Sequence, residues 1–68
     1  MAKFGENLKE LRVEKKWTQT HLAKMLNVTD RSIRDWENEG IEPSYDTLGK
    51  LAALFNVTVG QLLGFEQL

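Results

Sequence analysis

The sequence predicts an all-α fold, and two features of its pattern support that prediction. Apolar residues recur at intervals of three and four along most of the chain, which is the spacing of one face of an α-helix. The triplet Asn-Val-Thr occurs twice, at residues 27–29 and 56–58. Each asparagine is suited to end one helix, and each threonine is suited to begin the next. The 68 residues are expected to form one domain that buries about 60% of its unfolded surface.

The first two helices follow from the apolar spacing. Residues 5–15 are expected to form the first helix, and residues 19–26, which follow the capping residue Thr18, the second. The positions that face inward in these two helices are Phe4, Leu8, Leu11, Leu22, Ala23 and Leu26.

A turn of three residues leads into the third helix. Asn27 tolerates the left-handed conformation that ends a helix, Val28 can be buried in the corner, and Thr29 can cap the helix that follows. Ile33 and Trp36 then repeat the inward spacing. The chain therefore contains two short helices that are joined by a turn of fixed length.

Two helices joined in this way are typical of a helix-turn-helix, here residues 19–36. Ala23 is small at the point where the two helices must approach each other closely. The second helix of such a motif, about residues 29–37 in this chain, lies in the major groove of DNA. The alternative is an ordinary helical hairpin without a ligand. The turn length, the caps and the small alanine together favour the helix-turn-helix.

The remainder of the chain is predicted to contain two more helices. Residues 44–55 follow Pro43, and residues 58–63 begin with a threonine and a glutamine at the spacing of a capping box. Residues 38–43 form the only segment with the character of a loop. Gly49 lies inside the fourth predicted helix, where glycine costs about 1 kcal/mol relative to alanine. Close packing is the reason we expect for this glycine.

Composition restricts the function. The chain has no cysteine, so it can form neither a disulfide nor a thiolate zinc site. The longest apolar run, residues 51–55, is too short to cross a membrane, and residues 1–6 contain no apolar signal segment. His21 has no partner at the spacing of metal ligands and is expected to be solvated. We therefore expect a cytoplasmic protein that is not an enzyme and has no catalytic residue, metal, cofactor, small-molecule substrate or membrane partner.

Charge is divided unevenly along the chain. The net charge is −1, which is unfavourable for binding DNA. Residues 1–34, however, hold eight Lys and Arg against four acidic residues, whereas residues 35–68 hold one Lys against six acidic residues. Attraction to phosphate acts within about 8 Å at physiological salt, so a basic half can bind DNA although the whole chain is slightly acidic. We expect strong salt dependence and modest non-specific affinity.

A family pattern is spread over the chain in Leu8, Leu11, Arg12, Thr18, Gln19, Leu22, Ala23, Val28, Ile33, Trp36, Glu37, Pro43, Leu48, Leu51, Ala52 and Leu62. With these residues the chain resembles, from Phe4 to Leu63, the phage-repressor and Cro class of helix-turn-helix domains, also called the Xre family. The resemblance implies a lambda-repressor-like fold of five short helices. It also implies a homodimer that binds palindromic operators in double-stranded DNA and controls transcription, and we expect a repressor. The family positions of Arg12 and Glu37 imply an ion pair between them.

The exposed face of the third predicted helix holds the candidate base contacts. Arg31 is the leading one, because an arginine can donate two hydrogen bonds to guanine O6 and N7. Arg34 is expected either to reach a phosphate or to pair with Asp30 one turn earlier. Asp30 and Asp35 each either accept a hydrogen bond from cytosine N4 or orient an arginine, and we favour the second role. The full set of candidate base contacts is Thr29, Asp30, Arg31, Ser32, Arg34 and Asp35.

Phosphate contacts are expected at the edges of the motif. Gln19 lies in the first turn of its helix, where free backbone N–H groups point outward, so its amide and those groups can bind one phosphate together. The loop after the third helix departs from the family pattern, in which basic residues hold the DNA backbone. This loop carries Glu39 and Glu42, which reduce that attraction. The expected phosphate contacts are Arg12, Thr18, Gln19 and Asn38.

The C-terminal region carries more apolar side chains than one small domain readily buries. We expect it to form the homodimer interface, which would set two recognition helices about 34 Å apart on the DNA. The alternative function is a protein-interaction module, such as an antitoxin or an anti-repressor partner with weak DNA binding, and the acidic loop favours it. The expected interface residues are Phe55, Val57, Val59, Leu63 and Phe65.

Overall fold

The structure, a computed structural model, describes residues 3–68 and is all-α in this range, as predicted. None of the described helices is long and apolar enough to cross a membrane. Met1 and Ala2, the first residues of the stretch considered for a signal segment, lie outside the described residues. The five described helices are α1 (Lys3–Glu14), α2 (Gln19–Leu26), α3 (Asp30–Asn38), α4 (Tyr45–Phe55) and α5 (Val59–Leu63).

Side-chain hydroxyl groups cap four of these helices. At each of these N-termini, the hydroxyl oxygen accepts a hydrogen bond from the backbone N–H three residues further along. Asn27 and Asn56 both adopt the left-handed conformation, with φ of 58° and 57°, and so end α2 and α4. Both Asn-Val-Thr triplets therefore act as predicted, and the predicted capping box at the start of α5 is confirmed. The capping residues are Thr18, Thr29, Ser44 and Thr58.

The helix ends differ from the predictions by one or two residues. α1 begins at Lys3 and ends at Glu14, because the backbone turns into the left-handed region at Lys16, where φ is 62°. α3 continues to Asn38, so the loop before α4 covers residues 39–44.

All five helices contribute to one hydrophobic core. α1 packs against α3 and α5, α2 packs against α3 and α4, and α4 packs against α5. Trp36 of α3 is 7% exposed and belongs to this core. The other apolar core residues are Phe4, Leu8, Leu22, Ala23, Ile33, Leu48, Leu51, Ala52, Phe55 and Leu62.

Two glycines have opposite surroundings. A Cβ atom at Gly5 would lie 2.6 Å from the carbonyl oxygen of Trp36 and 2.7 Å from that of Glu37, so the glycine allows α1 to approach the backbone of α3. A Cβ atom at Gly49 would meet no atom within 4 Å. Our expectation that Gly49 is required for close packing is therefore wrong, because its side of α4 faces open space.

We predict that Gly49→Ala raises the free energy of unfolding by about 0.5 to 1 kcal/mol. Alanine restricts the unfolded chain and favours the helix, and it causes no clash at this site. Urea unfolding followed by circular dichroism measures the change. Gly5→Ala is the matched control and is expected to lower the stability, because its methyl group would meet two backbone carbonyl oxygens. A loss of stability in Gly49→Ala would contradict the prediction.

Candidate nucleic-acid interface

Backbone hydrogen bonds fix the turn between α2 and α3. The N–H of Asn27 donates to the carbonyl oxygens of Ala23 and Lys24. The N–H of Val28 also donates to the Ala23 carbonyl oxygen, at 3.0 Å. These bonds satisfy carbonyl groups that a helix end would otherwise leave free. The side chain of Thr29 then caps α3. The backbone hydrogen bonds of the turn and this cap together set the direction in which α3 leaves the turn.

The predicted ion pair between Arg12 and Glu37 is confirmed. Nε of Arg12 lies 2.7 Å from Oε2 of Glu37, and Nη2 lies 3.0 Å from Oε1, which is a bidentate arrangement. Nη1 of Arg12 donates to the carbonyl oxygen of Trp17 at 2.8 Å. The Arg12 side chain is 10% exposed and that of Glu37 is fully buried. All three guanidinium nitrogens therefore donate within the protein, which leaves little of the group for a DNA phosphate.

Gln19 connects the start of α2 to this pair. Its Nε2 donates to Oε1 of Glu37 at 3.2 Å, so Glu37 binds side chains from α1 and α2 at once. The Gln19 amide nitrogen carries a second hydrogen that this bond does not use. The side chain is half-buried, at the N-terminal end of a helix whose first backbone N–H groups have no partner within the helix. The geometry is compatible with the phosphate contact expected there.

The two acidic residues on the outer face of α3 have different partners. Nε of Arg31 lies 3.8 Å from Oδ2 of Asp35 one turn later, and the Arg31 side chain is 81% exposed. This is an exposed ion pair without a hydrogen bond, and the arginine-orienting role that we favoured for Asp35 stays a prediction. Asp30 instead accepts a hydrogen bond from the hydroxyl of Thr20 at 2.6 Å. The expected alternative in which Arg34 pairs with Asp30 is absent from the ion pairs within residues 3–68.

Three other residues that we expected to contact DNA, Thr18, Thr29 and Asn38, lie at helix ends. A fourth, Ser32, lies three residues after Thr29. The Thr29 hydroxyl accepts from the Ser32 N–H at 3.1 Å, and its oxygen lies 3.0 Å from the Ser32 hydroxyl. Thr18 accepts from the N–H of His21 at 3.0 Å and so serves first as a cap. Asn38 is the exposed last residue of α3. Thr18, Thr29 and Asn38 are exposed, whereas Ser32 is half-buried.

His21 lies on the exposed surface of α2, as expected. The centroid of its ring is 5.5 Å from that of Trp17, which in turn lies 5.5 Å from the ring of Phe55. Within residues 3–68, no three His, Asp or Glu side chains are grouped so that they could hold a metal ion. The contacts of His21 are thus those of a surface residue that covers an aromatic ring.

The loop that follows α3 is acidic and exposed. Glu39 and Glu42 both lie at the surface, on either side of Gly40, which has a φ of 73°. Ile41 within the loop is 51% exposed, and Tyr45 at the start of α4 is 81% exposed. The loop and the first residue of α4 therefore expose one apolar and one aromatic side chain close in sequence to carboxylates.

The residues expected at a dimer interface differ in their exposure. Phe55 is 6% exposed and belongs to the core, so it does not contribute to an open surface. Val57, Val59 and Leu63 are half-buried and pack against the core. Phe65 is 84% exposed.

A comparison with known protein families agrees with the fold and with the geometry of α2 and α3. A family model with the description helix-turn-helix matches residues 8–62, which is most of the chain. The chain belongs to the helix-turn-helix family of the phage-repressor and Cro type. The match contains the whole motif from α2 to α3 and both members of the Arg12–Glu37 pair.

Curated relatives of this helix-turn-helix chain include regulators from bacteria and phage. It is 36% identical over 64 residues to the HTH-type transcriptional regulator ImmR of Bacillus subtilis strain 168, covering 94% of this chain and 50% of ImmR. It is 37% identical over 65 residues to the HTH-type transcriptional activator BcrR of Enterococcus faecalis, covering 96% and 32%. It is 33% identical over 64 residues to the immunity repressor protein of Bacillus phage phi105, covering 94% and 44%. The chain thus spans half or less of the length of these three relatives.

Sequence reasoning missed two features of this helix-turn-helix site. The hydrogen bond from Thr20 to Asp30 joins residues ten apart on different helices, and no local pattern signals it. The close approach at Gly5 was also missed, although a glycine one position after an inward Phe4 is an indication that a helix backbone contacts another element.

We predict that the pair between Arg12 and Glu37 shows strong coupling in a double-mutant cycle. Arg12→Met and Glu37→Met should each cost about 3 to 5 kcal/mol, because each leaves a buried charge without its partner. The double variant should cost less than the sum of the two. Thermal and urea unfolding provide the free energies.

The exposed pair of Arg31 and Asp35 provides the matched control for this cycle. Its coupling energy is expected to be only about 0.2 to 0.5 kcal/mol, because solvent screens it. Additive effects of the two substitutions at Arg12 and Glu37 would show that the buried pair is not coupled.

Proposed function

We propose that this chain is the DNA-binding domain, over residues 1–68, of a sequence-specific transcriptional regulator that acts as a repressor. In this proposal α3 is the recognition helix, and it enters the major groove of a palindromic operator that a homodimer binds. The observation that carries the proposal is the exposed polar face of α3 within a helix-turn-helix whose orientation is fixed by capped helix ends and a buried ion pair. The regulators and the immunity repressor among its relatives support it.

Arg31 is the principal base contact in this proposal. Its side chain is 81% exposed, and only its Nε lies near Asp35, at 3.8 Å from Oδ2, so its terminal nitrogens are free to donate to guanine O6 and N7. Thr29, which caps the recognition helix, and Ser32, which lies in its first turn, contribute further contacts to the bases. Arg34 is exposed and binds a phosphate or a base beside Arg31.

Phosphate contacts in the proposal come from the two ends of the motif. Gln19 uses the amide hydrogen that its bond to Glu37 leaves free, together with backbone N–H groups at the start of α2. Thr18 lies one residue earlier, and Asn38 lies at the end of the recognition helix. The buried Arg12 holds the helices in place and does not bind phosphate.

The homodimer in this proposal forms through the C-terminal region. Phe65 is largely exposed, and Val57, Val59 and Leu63 extend the apolar surface from their half-buried positions. A two-fold contact here would repeat the same patch on both copies and present two recognition helices to the two halves of a palindrome.

The regulator works in the cytoplasm, needs no cofactor and is not an enzyme.

The second candidate function is a protein-interaction module, such as an antitoxin or an anti-repressor partner. The observation that favours it is the surface of the loop before α4 and of the first residue of that helix, where exposed Ile41 and Tyr45 lie close in sequence to exposed carboxylates. A surface of this kind is suited to contact a protein and repels phosphate.

Selection of bound sequences from random duplex DNA tests the proposed function. We expect a palindrome with half-sites about one helical turn apart, because a two-fold dimer places its recognition helices about 34 Å apart. Sedimentation with and without the selected duplex should then show two chains on each duplex. Failure to enrich any sequence would favour the protein-interaction module, and a strict monomer in both conditions would overturn the dimer.

We predict that Arg31→Ala relaxes the preference at one base pair of each half-site. The loss of discrimination should be roughly 1 to 3 kcal/mol, as expected for a bidentate contact with guanine. Titrations on operator and scrambled duplexes at two salt concentrations measure it, and Arg34→Ala is the control with the same change of charge. If Arg31→Ala weakens binding to all sequences equally, Arg31 contacts phosphate and Arg34 becomes the better candidate for the base contact.

A further inference from the structure

A hydrogen bond joins two exposed side chains across the helix-turn-helix. The hydroxyl of Thr20, the second residue of α2, donates to Oδ2 of Asp30, the first residue of α3, at 2.6 Å. The direction of the bond is fixed, because an ionised carboxylate can only accept. The distance is that of a charge-assisted bond between two oxygens. This bond therefore holds the Asp30 carboxylate in one orientation at the start of the recognition helix.

The same bond determines what the two side chains can offer to DNA. A threonine has one hydroxyl hydrogen, so Thr20 cannot donate to a phosphate while it donates to Asp30. Asp30 keeps its second oxygen, Oδ1, for another donor. The ion pairs within residues 3–68 involve other carboxylates, so no cationic side chain occupies this oxygen. The result is an oriented, charged acceptor on the exposed surface of the recognition helix.

An acceptor of this kind discriminates strongly among base edges. In the major groove, guanine presents two acceptors, and thymine presents one acceptor and a methyl group. Adenine presents an acceptor beside its amino group, whereas cytosine presents the N4 amino donor alone. A carboxylate with one free oxygen held in place is therefore best matched to cytosine.

We propose that Thr20 is a positioning residue for sequence specificity, which holds Asp30 so that Oδ1 accepts from N4 of a cytosine. This inference rests on the proposed function, because it requires the recognition helix to lie in the major groove. It assigns Asp30 the cytosine contact in place of the arginine-orienting role, since the structure gives the carboxylate a neutral hydroxyl partner.

The test uses the selected operator and four versions of the chain: wild type, Thr20→Val, Thr20→Ser and Asp30→Asn. Asp30→Asn first identifies the base pair in question as the one whose preference changes. Wild type should prefer cytosine there by roughly tenfold, which corresponds to one good contact with a base. Thr20→Val, which has the same shape without the hydroxyl, should reduce this preference to about twofold or threefold. Thr20→Ser should retain it, because serine restores the donor.

A modified duplex gives a direct measurement of the contact. If 2-pyrimidinone replaces that cytosine, the N4 amino group is absent and wild type should bind about tenfold more weakly. Thr20→Val should lose much less on the same replacement. Thr47→Val is the matched control, because it removes a hydroxyl from the first turn of α4 and should leave the base preference unchanged.

Three outcomes separate this inference from the proposed function. If Thr20→Val lowers the unfolding midpoint but keeps the cytosine preference, the bond only braces α2 against α3 and the inference is overturned. The same holds if Asp30→Asn changes the preference at no base pair. If wild type selects no sequence at all, the proposed function itself fails and this inference fails with it.

Discussion

The buried pair between Arg12 and Glu37 is the contact on which the arrangement of the helix-turn-helix depends. Two parallel N–H···O bonds join α1 to the last turn of α3. The same two groups bind the Trp17 carbonyl oxygen before α2 and the Gln19 amide at its start. Charged groups are costly to bury unless every polar atom has a partner, and no buried side-chain nitrogen or oxygen within residues 3–68 lacks one. The planar guanidinium therefore defines where α3 ends relative to the other two helices.

Small residues allow the close helix packing that holds α3 together with the ion pair. Gly5 lets the backbone of α1 approach that of α3 near Trp36, and Ala23, which is 1% exposed, lies in the core in the middle of α2. The turn at Asn27 fixes the opposite end of α3 through backbone hydrogen bonds. The helix α3 is thus held at both ends and along its inner face. Its outer face is free of the core, which is what a surface that contacts DNA bases requires.

Local signals were sufficient to predict the helices, because caps and apolar spacing act within one or two helical turns. They failed where the conformation depends on distant parts of the chain. Lys16 adopts a left-handed conformation although lysine has no special preference for it, because the chain must turn there between α1 and α2. The bond between Thr20 and Asp30 depends on the angle between two helices. The spacing of Leu48, Leu51, Ala52 and Phe55 does place Phe55 on the inward face of α4, so the dimer prediction for it gave that spacing too little weight. The bond between Thr20 and Asp30, in contrast, is not encoded in the spacing of neighbouring residues.

The open space around Gly49 makes this position suitable for attaching a spectroscopic label. The chain contains no cysteine, so a cysteine placed there would be its only thiol. Apart from the adjacent backbone of α4, no atom lies within 4 Å of the site that a Cβ would occupy, and a dye or spin label would therefore extend directly into solvent. The position lies in the middle of α4, away from the fraying ends of the helix, so the label would follow the motion of the helix backbone. Gly49, which weakens α4 without a packing reason, thus provides a position from which movements of the protein can be observed.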